Sequence, residues 1–273
     1  MKSLLIAGTA LLFVSSAAFA DDGRDLRVRV GGGAQLRPQY PGADQDKLGP
    51  LFSVSFAHGT DPFKFKASDD SSGVAVVSSN GFSFGPAVNL VGARRDADVG
   101  APVGRVGATI EAGVYAGYRF GDFRLRGELL KGLGGHKGVR AQLGVDRIWR
   151  DRDRYVFSVG PRLLIADERY ERAYFGVTPN ASLASGLPVY RPGGGIYGIG
   201  ATSGMSVQLD RHWGLFGYAR YERLIGDAAR SPIVRHYGSR DQVSGGIGLS
   251  YTFTVKRGSR AYGLLNRLGP GPG

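Results

Sequence analysis

Histidine, serine and aspartate come closest together in the run "SPIVRHYGSRDQ", residues 231–242, where His236 precedes Ser239 by three positions and Asp241 by five. An imidazole beside a hydroxyl and a carboxylate is the material of nucleophilic catalysis, in which the ring takes the proton of the attacking oxygen. The four histidines, His58, His136, His212 and His236, all fall at strand ends or in loops. A loop histidine with ordinary polar neighbours is solvated rather than catalytic, so no residue is assigned as catalytic and the chain reads as no enzyme. Cysteine is absent and no zinc spacing occurs. The "GGG" runs at 31–33 and 193–195 lie in strands rather than opening a helix, so they are no phosphate loop. No metal or cofactor is expected.

The remaining chemistry is charge. The formal balance is +12, most of it arginine. Such a surplus usually points to nucleic acid, but the first twenty residues, "MKSLLIAGTALLFVSSAAFA", form a secretory signal peptide. Lys2 is its basic start, Leu4 to Val14 its apolar run, and Ala18-Phe19-Ala20 its cleavage site before Asp21. An exported protein has little occasion to meet nucleic acid.

The elements that must position these charges have a period of two. Ile110, Ala112, Val114, Ala116, Tyr118 and Phe120 alternate with Thr109, Glu111, Gly113, Tyr115, Gly117 and Arg119. Leu26, Val28, Val30, Ala34 and Leu36 alternate in the same way with Arg27, Arg29, Gln35 and Arg37. This is the pattern of half-buried strands. The strands are long, aromatics such as Trp149, Trp213, Tyr251 and Phe253 gather at their ends, and the connections alternate short and long. Those three features favour a transmembrane antiparallel β-barrel over a soluble sandwich. Forty-five glycines suit its curved wall.

Short turns fall near 58–61, 79–81, 121–122, 151–153 and 210–211, and long loops at 38–48, 94–107, 167–192 and 226–239. Short turns belong on the periplasmic side and long loops outside. Ten strands can be placed between 26 and 253. The piece "DPFKFKASDDSSGVAVVSS" must leave on the side where it enters, so a hairpin turning at "SDDSSG" gives twelve strands; ten with an excursion is the alternative. The barrel is expected over 21–253.

With the apolar parity outward, Arg27, Arg29, Arg37, Lys64, Lys66, Arg119, Arg124, Arg126, Arg140, Arg162 and Arg220 point inward, joined by Glu111, Glu128, Asp146 and Glu222. This lumen is either an ion-paired plug, helped by Asp167, Glu168 or Asp227, or an anion-preferring pore.

Two loop stretches lack the strand period: "YFGVTPNASLASGLPVY" from Tyr174, and "LIGDAARSPIVRHYGSRDQ" from Leu224. The aromatics of the first favour folding into the lumen, since they gain nothing in water. With "VGGGAQLRPQYPGAD" and "GGIGLSYTF", these stretches resemble the MipA/OmpV family of outer-membrane proteins over roughly residues 28–253. The motif positions are Tyr174, Phe175, Gly176, Ser185, Gly186, Leu187, Pro188, Tyr190, Gly226, Asp227, Ser231, Pro232, Ile233, Val234, Ser239, Arg240, Asp241 and Gln242. They read as structural signatures.

The resemblance implies a barrel in the outer membrane of a Gram-negative cell. It further implies a scaffold that binds a periplasmic lytic transglycosylase and a penicillin-binding peptidoglycan synthase. Small-solute uptake or surface adhesion are the alternatives, since other members resemble adhesins or are linked to drug uptake. The chain departs from the family at its end, where residues 254–273 form a basic tail, disordered or in contact with anionic peptidoglycan.

Overall fold

The computed structural model describes residues 24–256 and 258. The expected signal peptide lies outside the described residues, as does the basic tail beyond 256 apart from Gly258.

Alternation becomes strand along most of the chain. In order come β1 (Leu26–Pro38), β2 (Asp46–His58), β3 (Ser72–Gly73), β4 (Val77–Ser79), β5 (Phe82–Val91), β6 (Thr109–Phe120), β7 (Phe123–Gly134), β8 (Val139–Asp151), β9 (Tyr155–Ala166), β10 (Gly195–Gln208), β11 (Trp213–Leu224) and β12 (Asp241–Val255). Five short helices lie in the connections: α1 (Asp96–Val99), α2 (Glu168–Phe175), α3 (Pro179–Ser185), α4 (Gly226–Arg230) and α5 (Pro232–Tyr237). None of the described helices is long and apolar enough to cross a membrane.

All twelve strands belong to one antiparallel sheet, ordered β2-β1-β12-β11-β10-β9-β8-β7-β6-β5-β3, with β4 also on β5. The sheet curls so that β1 pairs with β12, bringing Leu26 opposite Val255. Its two edges are β2 and the β3–β4 pair, and no ladder joins them among the described residues.

The count of twelve matches the expected number, but the hairpin expected to turn at "SDDSSG" is not how it arises. Residues 72–79 run beside β5 as one interrupted strand, with Ser72 opposite Val88 and Ser79 opposite Phe82. Asn80 and Gly81, with φ of 47° and 81°, make the two-residue turn into β5. Gly85 permits the interruption, because a Cβ there would stand 1.7 Å from the Val74 carbonyl oxygen. The stretch before Ser72 enters the interior instead of the wall.

Outward side chains form an apolar belt that includes Ile110, Val114, Leu129, Leu143, Val159, Ile199, Ile247 and Leu249, all exposed. An exposed surface of this kind suits lipid. Tyr118, Phe120 and Phe123 stack in sequence at the short-turn end, and Trp213 meets Tyr251 edge-on there. The buried apolar core sits inside the other end, the long-loop end, rather than between two layers. One cluster joins Tyr170, Tyr174, Phe175, Ala228 and Val234 to Leu164, Tyr197 and Leu224 of the wall. A second joins Tyr40, Val99, Val103, Val177, Leu187 and Ile233.

Candidate functional site

The interior is built in three levels along its axis, beginning with the plug at the long-loop end. Asp167 caps α2 by accepting from the Tyr170 N–H at 2.9 Å, and Thr178 caps α3 ahead of Pro179. Ser231 caps α5 ahead of Pro232, accepting from Ile233 N–H, and its Oγ also donates to the Phe175 carbonyl at 2.7 Å. That last bond ties the two loop motifs together. A second tie runs from Tyr190, whose hydroxyl donates to the Asp227 carbonyl at 2.9 Å. Gly186 closes α3 with φ of 75°, and Leu187 packs behind it.

Around these motifs, Gln242 donates to the Ala43 carbonyl at 2.8 Å and accepts from Gly42 N–H at 2.9 Å, pinning the first long loop. Arg94 is buried beneath the plug and donates to the carbonyls of Tyr174 and Gly104 at 2.6 and 3.0 Å. The motif residues therefore split. Tyr174, Phe175, Ser231, Pro232, Ile233 and Val234 are buried in the plug, while Arg240 and Asp241 stand at its exposed rim, where Asp241 pairs with Arg223 at 2.9 Å. His236 is exposed, and Ser239 exchanges hydrogen bonds with the backbone of Asp241 rather than with the imidazole. The structure does not bring these three together as a catalytic group.

Glu171 is an exception to the plug's good pairing. It is buried, and one carboxylate oxygen has no hydrogen-bond partner. Burial, with Asp227 nearby, raises its pKa to about 7. Asp227 itself is held low by the Gly193 N–H and the Arg230 guanidinium.

The second level is a layer of ion pairs across the lumen. Glu111 is fully buried; it accepts from Arg140 at 2.7 and 2.8 Å and from Asn89 at 2.8 Å, and it lies 3.2 Å from His136 Nε2. Arg162 donates to Asp69 at 2.6 and 3.1 Å and to Asp146 at 2.6 Å. Arg124 grips Asp70 with two 2.8 Å bonds and reaches Asp146 at 3.1 Å. Arg126 donates to Glu128 at 2.6 Å, and Arg220 pairs with Glu222.

Asp69 and Asp70 come from the inserted stretch before β3, which crosses the lumen and presents its acids to the wall. The acids suggested for this role by the sequence are used elsewhere: Asp167 caps α2, Glu168 pairs with Arg172, and Asp227 pairs with Arg230. No periodicity marks a segment that is not a strand, so Asp69, Asp70, Arg94 and Glu171 escape a reading by parity. A threonine or serine before proline, as at Thr178-Pro179 and Ser231-Pro232, is the one local signal of the plug helices.

The third level, toward the short-turn end, is a cavity of about 400 Å³. Arg27 pairs with Asp153 at 3.0 Å at its edge. Arg29 donates to Gln208 at 2.9 Å and lies 4.2 Å over the Phe63 ring. Lys64 and Lys66 line the cavity without a hydrogen bond or ion pair among the described residues. Arg37 and Arg119 are exposed toward the two rims.

With this geometry in view, the sequence matches the family model described as "MltA-interacting protein MipA" over residues 30–253. No curated protein sequence matches it. Among solved structures, it is similar to the translocator domain of autotransporter NalP from Neisseria meningitidis (17% identity, 87% of this chain and 92% of that one, TM-score 0.37). An outer-membrane channel from Pseudomonas putida F1 follows at 8% identity, covering 84% of this chain and 96% of that one, with a TM-score of 0.39. OprB from Pseudomonas putida is 10% identical over 65% of this chain, with a TM-score of 0.37; the chain spans only 46% of its length.

Proposed function

The chain belongs to the MltA-interacting protein MipA family, and from that premise we propose that this outer-membrane barrel is a non-enzymatic anchor for periplasmic peptidoglycan-remodelling enzymes. Its partners on this reading are a lytic transglycosylase and a penicillin-binding synthase. The observation that carries it is a lumen closed at its long-loop end. A plug of packed helices fills the long-loop end, and beneath it Arg124, Arg126, Arg140, Arg162 and Arg220 are held by Asp69, Asp70, Asp146, Glu111, Glu128 and Glu222. Such an interior suits a rigid body that holds others better than one that passes solute.

Enzymes in the periplasm could reach only the short-turn end, where Leu26 and Val255 also lie. The rim there presents Asp151, Arg154, Asp210 and Arg211, all exposed. Rim charges of this sort set orientation and association rate more than affinity. The test is mild cross-linking of envelopes, followed by affinity capture of the detergent-solubilised barrel. A lytic transglycosylase and a penicillin-binding synthase should be recovered together. An intact barrel that captures neither overturns the anchor. A small-anion uptake protein is the second reading, favoured by the unpaired Lys64 and Lys66.

A further inference from the structure

The cavity at the short-turn half is shaped by the free edge of the sheet. On β2, Leu51, Ser53 and Ser55 share the inward face, being opposite Gly33, Gly31 and Arg29, whereas Phe52, Val54 and Phe56 share the outward face with Val30. All six line the cavity, and so does Ser72 of β3 on the opposite edge. Residues of both unpaired edges thus border the cavity, which lies on the lumen side of the seam between β2 and β3, in the wall that meets lipid.

Its chemistry is two-sided. Phe63, Phe65 and Phe216 give it an apolar wall. Against them stand Arg29, Lys64, Lys66 and Arg150, with Asp153 as the sole carboxylate in the lining. Asp153 is already occupied: it accepts from Arg27 at 3.0 Å, from Phe63 N–H at 2.9 Å and from Arg150 at 3.5 Å. Among the described residues Lys64 and Lys66 have no ion pair, although Asp70 and Glu128 act on Lys66 from farther off, so Lys64 carries most of the surplus charge. A bare strand edge beside hydrocarbon is itself costly, because its N–H and C=O groups find no partner there.

We propose that this cavity is a binding site for a single-chain amphiphile with an anionic head, of the long-chain fatty carboxylate class, admitted from the membrane through the β2–β3 seam. The apolar lining takes the chain, and Lys64 and Lys66 take the head. The volume is in the range of small-ligand sites, and unpaired ammonium groups beside an apolar wall are the complement of that ligand. The proposal does not depend on the anchor reading, since it concerns the purified barrel alone.

The test uses the full barrel in phosphatidylcholine nanodiscs, titrated with the fluorescent fatty acid cis-parinarate and, separately, with its methyl ester. The acid should bind saturably above the signal of empty discs, at one per barrel, and the ester should not. Lys64→Gln with Lys66→Gln should weaken the acid at least tenfold, and Ser55→Trp should abolish its binding by filling the cavity. Heat-shifted gel mobility verifies that each variant is folded. If Ser55→Trp fails to fold, the lysine pair decides, since it lies off the wall. A wild-type signal equal to that of empty discs overturns the proposal, as does equal binding of acid and ester or no loss with the lysine variant.

Discussion

Arg162 shows what holds a charge inside this barrel. Its guanidinium is buried and meets Asp69 and Asp146 at 2.6 Å each. Removing the cation leaves two carboxylates facing each other in a poorly solvated space, a loss that typically costs about 3–5 kcal/mol. Arg162→Met should lower the unfolding free energy of the refolded barrel by that amount, read as a fall in its urea midpoint, and Asp69→Asn should lower it in the same direction. An unchanged midpoint would show that the layer of ion pairs does not hold the inserted stretch. Alternation along β9 is enough to point Arg162 inward. Its partner Asp69 was not legible, because a segment without a period offers no parity to read.

At the scale of elements, the strands were readable nearly to their ends. The alternation read from Thr109 to Phe120 is β6 (Thr109–Phe120), and the barrel expected to end at 253 runs on in β12 to Val255. Period two survives because one face meets lipid and the other does not. The plug helices are too short for a helical period to accumulate, and they are held by packing rather than by propensity. Their weak point is Glu171 on α2. Its folded pKa of about 7 stands above its ordinary value of 4.5. The sign follows: the protonated form is favoured by the folded plug, so that stability is fully present below pH 4.5, fades between 4.5 and 7, and is lost above 7. Hydrogen exchange of α2 and α4, corrected for intrinsic rates, should be slower at pH 5 than at pH 8. Glu171→Gln should remove that difference; a difference that persists would place the titrating group elsewhere.

For the whole molecule, the decisive property is closure of the long-loop end. Two loop motifs far apart in sequence, around Phe175 and Ser231, meet at 2.7 Å and share one buried core. In planar bilayers the intact barrel should give no steady conductance, and deletion of residues 167–192 should produce open-channel steps. Steady current through the undeleted chain would favour solute uptake over anchoring. The sequence motifs told of two special loops. That they clasp each other was not legible, since contact between distant loops depends on the curl of the sheet that carries them.

The seam has a last consequence, for how the chain assembles. Ladders run without interruption from β5 to β12, and separately between β1 and β2; β1 with β12 is the ladder that unites the two groups. The first hairpin made by the ribosome must therefore wait for the final strand before it has a sheet to join. Loop closure over nearly the full chain delays that step. Were the ends at Leu26 and Val255 linked and the chain opened in the stretch before Ser72, the same sheet would become a plain meander, with every neighbour in space a neighbour in sequence.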